Sequence, residues 1–400
     1  MQCRQAAVRA RNDNEGLPCI LISAGEASGD YYAAQLALEL ARRHPGIRFF
    51  GCAGPHLRDA GVEPVIRSED LAVVGLFEVV RHIPRIWRRF RTLIAAAAAR
   101  RPDLAILTDS PDFNLRVARK LKRLGIPVVY LVAPQVWAWR QGRVRTMRRV
   151  IDRLLCIFPF EEAFFTKHRV PVTFIGHPLT TRVRPALSKE AFFAKHKIPP
   201  DRPLIAVLPG SRRSESLRHL PDLVGAARLL TASRPLTFLL PASPTCGAAF
   251  FEPHLAGTPI RAIEGEAWDA MAHCDVALAA SGTVTVEAML LNAPMVTFYR
   301  VTPITWTVGK PLVRVPFYSM VNLIAEKPVV AELIQHDMTP ARLASETARL
   351  LDNPAERATM REELVRVAAR LSGPGDAIAR AADEVDRVMM STKPVLEVSQ

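Results

Sequence analysis

Short apolar runs of strand character alternate along this chain with stretches whose apolar residues recur at helical spacing. That alternation marks parallel strands joined by helices, with sheets covered on both faces. A first series predicts strands at Cys19–Ala24, Arg48–Ala53, Leu104–Thr108, Val128–Val132, Leu154–Phe158 and Val172–Ile175. A second predicts strands at Leu204–Leu208, Leu236–Leu240, Val276–Ala279 and Met295–Tyr299. Between the two series, Pro178–Pro203 is polar and proline-bearing, with an amphipathic patch at Phe192 and Phe193. The pattern predicts an α/β protein of two Rossmann-like domains with mostly parallel sheets facing a central cleft. Their expected limits are residues 18–180 and 203–345, with 181–202 as linker. The last part, 346–400, reads as Ala-, Arg-, Leu- and Glu-rich helices broken at Gly373-Pro374-Gly375.

A length of 400 residues exceeds one typical core and fits two domains. Hydrophobic residues at 49% and charged residues at 23% describe a globular protein. No apolar run approaches the roughly 20 residues that span a bilayer. Residues 1–17 carry Arg4, Arg9 and Arg11 with no apolar stretch behind them, so an extension is expected there, not a signal peptide. The six cysteines are scattered without a C-x-x-C pair. A reducing compartment is expected, with neither disulfides nor zinc.

A net charge of +14 calls for an anionic partner: nucleic acid, an acidic membrane or a phosphorylated substrate. Over Leu76–Ile94, the apolar residues Leu76, Val79, Val80, Ile83, Ile86, Trp87, Phe90, Leu93 and Ile94 recur at helical spacing. Arg81, Arg85, Arg88, Arg89 and Arg91 fill the gaps, and Pro84 starts or kinks the helix. Such a helix suits an anionic membrane surface; a core-facing helix with a solvated basic face has the same periodicity.

Candidate chemistry gathers where strands end. DLAILTDSPDFN (103–114) brings Asp109 and Asp112 to one strand end. IPVVYLVAPQVWAWR (126–140) ends in a proline-fixed turn with Trp137, Trp139 and Arg140. Ligands of open α/β sheets bind at strand carboxyl ends, so both stretches are expected to wall a site. SAGEASGD (23–30) places Glu26, Ser28 and Asp30 between the first strand and a helix; Ser28 and Asp30 are also able N-caps. The dinucleotide fingerprint G-x-G-x-x-G is absent. VLPGSRRSE (207–215) puts Gly210, Ser211 and Arg212 before a helix, either as an anion site or as a capped start with solvated arginines. AASGTVTVEAML (279–290) repeats the arrangement with Ser281, Gly282, Thr283 and Glu287, whose carboxylate could accept ribose hydroxyls. Two such cradles in one domain suggest a nucleotide diphosphate. No D-x-D and no metal-ligand spacing occurs, so no metal is expected, and arginine with helix termini must hold the departing charge. His177 in FIGHP follows a strand and a glycine, with a structural or a site role open.

These motifs jointly resemble the lipid-A-disaccharide synthase family. AGEASGD, FFGCAGP, LAVVGLFEV, TDSPDFN, APQVWAWR, FPFE, FIGHP, LPGSR, SGTVTVEAML, PMVTFYR and YSMVNLIAEKPVVAEL follow in family order from about Ile20 to Gln335. The resemblance implies a GT-B fold with C-terminal helices crossing back to the first domain. It implies inverting, metal-independent transfer of diacylglucosamine from UDP to the 6-hydroxyl of lipid X, giving a β-1,6-linked lipid A disaccharide 1-phosphate. Asp109 matches the family's proposed catalytic aspartate, with Asp112 orienting or assisting and Glu26 positioning sugar hydroxyls or the acceptor. Ser28, Asp30, Trp137, Arg140, His177 and Asn322 are expected at substrate. Gly210, Ser211, Arg212, Ser281, Gly282, Thr283 and Glu287 are expected at UDP. No cofactor is implied, the location is cytoplasmic and peripheral to the inner membrane, and a homodimer is left open. Val321, Ala331 and Ala33-Ala34 depart from the family pattern without removing a polar group. The rival readings are another GT-B UDP-hexosamine enzyme, such as a 2-epimerase, and a basic nucleic-acid binder. The first has no reason to carry TDSPDFN with VWAWR; the second lacks RNP-like and helix-turn-helix signals.

Overall fold

Seven parallel strands build one sheet: β1 (Cys19–Ala24), β2 (Arg48–Ala53), β3 (Glu63–Arg67), β4 (Leu104–Thr108), β5 (Val128–Leu131), β6 (Arg153–Cys156) and β7 (Val172–Phe174). Their order is β3-β2-β1-β4-β5-β6-β7. Six more form a second parallel sheet: β8 (Leu204–Leu208), β9 (Thr237–Ala242), β10 (Ile260–Glu264), β11 (Val276–Ala280), β12 (Met295–Tyr299) and β13 (Ala331–Ile334). Its order is β10-β9-β8-β11-β12-β13. The computed structural model describes residues 17–71, 76–313 and 315–392. Residues 1–16 of the extension expected at 1–17, residues 72–75 within LAVVGLFEV, and 393–400 lie outside the described residues.

Central strands such as β4 (LAILT), β8 (LIAVL) and β11 (VALAA) are buried at every position, because helices cover both faces. The strands that the apolar runs do not predict, β3, β10 and β13, are all edges. Glu63, Arg67, Arg261 and Glu264 are exposed there, which breaks the continuous apolar signature.

The chain divides into two units: residues 1–178 with 373–400, and residues 179–372. This shifts two expected boundaries. The segment expected as linker belongs to the second unit. There the Asp269 carboxylate accepts from Ala186 N (2.8 Å) and Leu187 N (2.6 Å), and Phe192 is fully buried. Burying a phenylalanine stabilises by about 1.5–3 kcal/mol, and the backbone bonds to Asp269 add to it. Helices Pro340–Asp352 and Pro354–Leu371 also stay with the second unit, burying Leu343, Leu350 and Leu364. Only the last helix, Ala377–Thr392, joins the first unit, packing on helix Ala27–Arg43. Arg43 reaches Asp383 (2.6 Å) and Asp386 (3.1 Å) across that contact, and His44 Nε2 meets Asp386 at 2.7 Å.

In each sheet the strand order reverses beside the first strand in sequence, between β1 and β4 and between β8 and β11. Loops leaving those strand ends diverge to opposite faces, which opens a crevice. Both lie where the sequence motifs gather.

Candidate active site

At the reversal in the first unit, β1 runs through Gly25 and Glu26 into helix Ala27–Arg43, and β4 runs through Asp109 and Ser110 into helix Pro111–Arg123. Asp109 (φ +48°) and Ser110 (φ +35°) are consecutive non-glycine residues in left-handed backbone, a costly turn that its surroundings must hold. Buried Asn114 supplies the hold. Its Nδ2 donates to Thr108 O (2.7 Å), Asp109 O (3.3 Å) and Ser23 O (3.3 Å), while its Oδ1 accepts from Ser23 Oγ (2.8 Å). Tyr130 Oη adds a bond to Asp109 O at 2.6 Å. Three neighbouring strand ends thus fix one turn. Asn114 stood within the TDSPDFN motif and Tyr130 within a strand run, yet neither announced this role; only cross-strand geometry shows it.

The Asp109 carboxylate points back at β1. Its Oδ1 accepts from Gly25 N (2.7 Å) and its Oδ2 from Glu26 N (3.0 Å). Burial lifts its pKa to about 7, with help from the nearby Glu26 charge, and outweighs the two N–H donors that favour the anion. A carboxyl group poised there exchanges protons near neutral pH.

Asp112 has a different setting. It is exposed, and its oxygens already hold Arg140 (3.2 Å) and Arg143. Arg140 also lies over the Trp139 ring at 4.3 Å. Glu26 and Ser28 are exposed at the start of helix Ala27–Arg43.

Three expected substrate contacts in this unit turn inward instead. Asp30 is 1% exposed, and its carboxylate accepts from Gly54 N (2.7 Å) and His56 N (2.8 Å), fastening the β2 exit. Trp137 is buried and donates from Nε1 to Glu161 Oε1 at 2.9 Å; burial lifts Glu161 to about 8. His177 is buried against the Phe158 ring, and desolvation lowers its pKa to about 4, so it stays neutral at neutral pH. These groups brace the site walls.

In the second unit, β8 ends at Pro209-Gly210 and helix Arg213–Thr231 follows. Gly210 has φ +121°, and a Cβ there would stand 2.5 Å from Glu215 Oε2. Neutral His219 bridges two strand ends: Nδ1 donates to Pro209 O (2.7 Å) and Nε2 accepts from Arg300 N (3.0 Å). Ser211 is held through its carbonyl by Ser243 Oγ at 3.2 Å. Arg212 and Arg213 are both exposed, and the Arg213 guanidinium lies over the Phe250 ring at 5.1 Å.

β11 leads through Ser281 and Gly282 into helix Thr283–Leu290. Ser281 Oγ donates to Tyr318 O at 2.7 Å, and Gly282 and Thr283 are exposed. Glu287 is half-buried; desolvation lifts it to about 7 although Trp268 hydrogen-bonds it. Two helix N-termini therefore open at one strand reversal, each with unsatisfied N–H groups.

Asn322 does not reach this surface. It is 1% exposed, with Oδ1 accepting from Val329 N (2.8 Å) and Val330 N (3.0 Å). Its Nδ2 donates to Val330 O and Glu332 Oε1, both at 2.9 Å. With both ends of the amide engaged, it shapes a loop and is corrected from a contact to a positioning residue. Its partner Glu332 also accepts from Tyr318 N (2.9 Å) and Ser319 N (2.8 Å), holding the segment that Ser281 leans on. Sequence reasoning gave Glu332 no role, since its partners lie 10 to 14 positions away.

Comparison with known proteins agrees with this geometry. Residues 20–374 match the family model of lipid-A-disaccharide synthetase. The lipid-A-disaccharide synthase of Solibacter usitatus (strain Ellin6076) is 59% identical over 373 residues, covering 93% of this chain and 98% of the relative. Among solved structures, the calicheamicin glycosyltransferase CalG4 superposes with a TM-score of 0.60 at 20% identity, covering 94% of this chain and 100% of that one. UDP-GlcNAc 2-epimerase from Neisseria meningitidis bound to UDP-GlcNAc gives 0.59 at 14% identity, covering 93% and 100%. At such identities the structural likeness shows the fold alone, which transferases and epimerases share; the sequence relatives decide between them. The chain belongs to the lipid-A-disaccharide synthetase family, GT-B glycosyltransferases of lipid A biosynthesis.

Proposed function

We propose that the chain joins UDP-2,3-diacylglucosamine to 2,3-diacylglucosamine 1-phosphate (lipid X), forming the β-1,6-linked lipid A disaccharide 1-phosphate and UDP. The observation that carries this reading is Asp109: a carboxyl group at a strand reversal, anchored by Gly25 N and Glu26 N and lifted to about 7. The acceptor's 6-oxygen attacks donor C1 while Asp109 takes its proton. The C1–O bond to UDP breaks with its electrons, and the anomeric centre inverts. General-base help of this kind is worth roughly 10²–10⁴-fold. Asp112, bound to two arginines, orients that turn; Glu26, exposed beside Asp109, faces sugar hydroxyls.

UDP binds in the second unit. The N–H groups at Gly210–Arg213 and those of Gly282 and Thr283 in the Ser281–Thr283 turn, with the Arg212 guanidinium, take the diphosphate, and Glu287 takes ribose hydroxyls. The reaction uses no metal and no further cofactor, the departing charge falling on arginine and helix termini.

Acylated substrates come from a membrane, and we propose the cytoplasmic face of the inner membrane, reached through helix Leu76–Arg100. That helix is continuous across Pro84, and Ile83 (53% exposed) and Trp87 (56% exposed) stand out from it. Arg91 covers the Trp87 ring at 4.8 Å. Leu93 is buried and Phe90 meets Phe113, so the C-terminal half also serves the core. The side chains of residues 76–82 lie outside the described residues. No described helix is long and apolar enough to cross a membrane.

Mass spectrometry of products from the two lipid substrates with EDTA present tests the activity. The disaccharide 1-phosphate is expected; turnover of UDP-GlcNAc alone, with none of the lipids joined, would overturn it in favour of an epimerase. Sedimentation of a Trp87→Asp/Arg88→Glu variant with anionic vesicles tests the helix.

A further inference from the structure

We propose that a basic pocket on the first unit, distinct from the Asp109 turn, binds the phosphate of an anionic lipid headgroup. The cavity has a volume of about 470 Å³ and is lined by Arg145, Arg148, Arg149, Lys167 and Arg169. Helix Val144–Val150 buries Val144, Met147 and Val150, which leaves Arg145, Arg148 and Arg149 together on its outer side at i, i+3 and i+4 spacing. Lys167 and Arg169 close the pocket from the end of helix Pro159–Lys167.

The pairing of the cations says that the charge is there for a ligand. Several cations on the neighbouring elements have acidic partners: Lys122 pairs with Asp152, Arg140 and Arg143 with Asp112, and Arg153 with Glu384, while Arg119 is held by the Thr146 hydroxyl. The five lining cations make no ion pair among the described residues, and no Asp or Glu lines the cavity. Like charges at helical spacing repel, and a bound anion relieves that repulsion.

The surroundings select a lipid. Helix Val144–Val150 packs on helix Pro111–Arg123, where Arg119 Nη2 donates to Thr146 Oγ1 at 2.8 Å. That helix packs on Leu76–Arg100, the helix with exposed Ile83 and Trp87. Cationic pocket and apolar side chains thus belong to one layer of neighbouring helices, the combination that an anionic bilayer surface receives. Nucleic acid would instead call for a run of stacking aromatics, and the one ring lining the cavity, His168, is tied to the Phe164 carbonyl at 2.8 Å and packs on the Phe164 ring. The inference goes beyond glycosyl transfer and stands whichever group is the base.

The test uses the full chain and an Arg148→Ser/Arg149→Ser variant, sedimented with phosphatidylcholine vesicles with and without phosphatidylglycerol. The expected result is selective binding of wild type to the anionic vesicles and at least a tenfold loss in the variant. Its melting temperature and turnover on detergent-dispersed substrates should stay unchanged. Undiminished vesicle binding by the variant overturns the proposal. So does a 20-nucleotide DNA strand that binds more tightly than vesicles and is lost in the same variant, or inorganic phosphate binding at the pocket without vesicle binding. If Trp87→Asp/Arg88→Glu abolishes vesicle binding while Arg148→Ser/Arg149→Ser leaves it intact, the helix reading stands and the pocket falls; the reverse result separates them the other way.

Discussion

Gly29 has no room for a methyl group because the Asp109 carboxylate fills the space: a Cβ there would lie 1.7 Å from Oδ2. Glycine inside a helix ordinarily costs about 1 kcal/mol against alanine. Here it lets a carboxyl group lie against the first turn of helix Ala27–Arg43. Gly29→Ala should therefore leave the fold intact but push Asp109 off Gly25 N and Glu26 N. Turnover is expected to fall at least 10²-fold with UDP affinity within a few-fold of wild type. Steady-state kinetics beside calorimetric UDP titration checks this, and wild-type turnover would remove the Asp109 geometry from catalysis.

The position of the Asp109 pKa sets a pH dependence. The base works only when ionised, so kcat/KM should rise with pH and level off above about 7. Asp109→Asn should lower turnover by about 10²–10⁴-fold and abolish that rise. Stability moves the other way. The folded-state pKa lies above the ordinary 3.8, so folding is favoured below that value and loses stability as pH climbs through about 7. Asp109→Asn should thus melt higher than wild type at pH 8 and alike at pH 3. An inactive variant that melts lower at pH 8 would mean that the carboxylate is structurally required.

Arg212 and Arg213 are neighbours with different duties. Both are exposed at the helix start, but the Arg213 guanidinium is drawn over the Phe250 ring. A charge-assisted bond is worth about 1.5–3 kcal/mol, so Arg212→Ala should weaken UDP binding at least tenfold and Arg213→Ala by less than threefold. Titration calorimetry at fixed ionic strength reads both, and equal losses would reassign the anion cradle.

Glu332 is predicted to matter without touching a nucleotide. Removing its carboxylate strands Tyr318 N, Ser319 N and the Asn322 amide, each unsatisfied group costing about 1–3 kcal/mol. Glu332→Ala should lower stability by several kcal/mol, and Glu332→Gln by less, because its Oε1 can still accept. UDP affinity should follow the same order, since Ser281 leans on the Tyr318 carbonyl. Chemical denaturation and UDP titration of both variants check this; a stability loss with unchanged UDP affinity would uncouple the loop from the cradle.

Much of this protein was legible along the chain. Strands buried on both faces must be apolar throughout, so β4, β8 and β11 announce themselves, and loops at their ends carry the residues that chemistry needs. Asp109, Glu26, Arg212 and the Ser281–Thr283 turn are read as candidates in that way. What tertiary structure alone decided is which polar groups of those motifs face outward. Asp30 serves Gly54 and His56, Trp137 serves Glu161, and Asn322 serves Val329, Val330 and Glu332. A motif shows that a polar side chain is needed, but a buried one goes wherever an unpaired backbone group needs a partner. The decisive partners are brought in by folding, from another strand end or from the far side of a loop, where local pattern carries no trace of them.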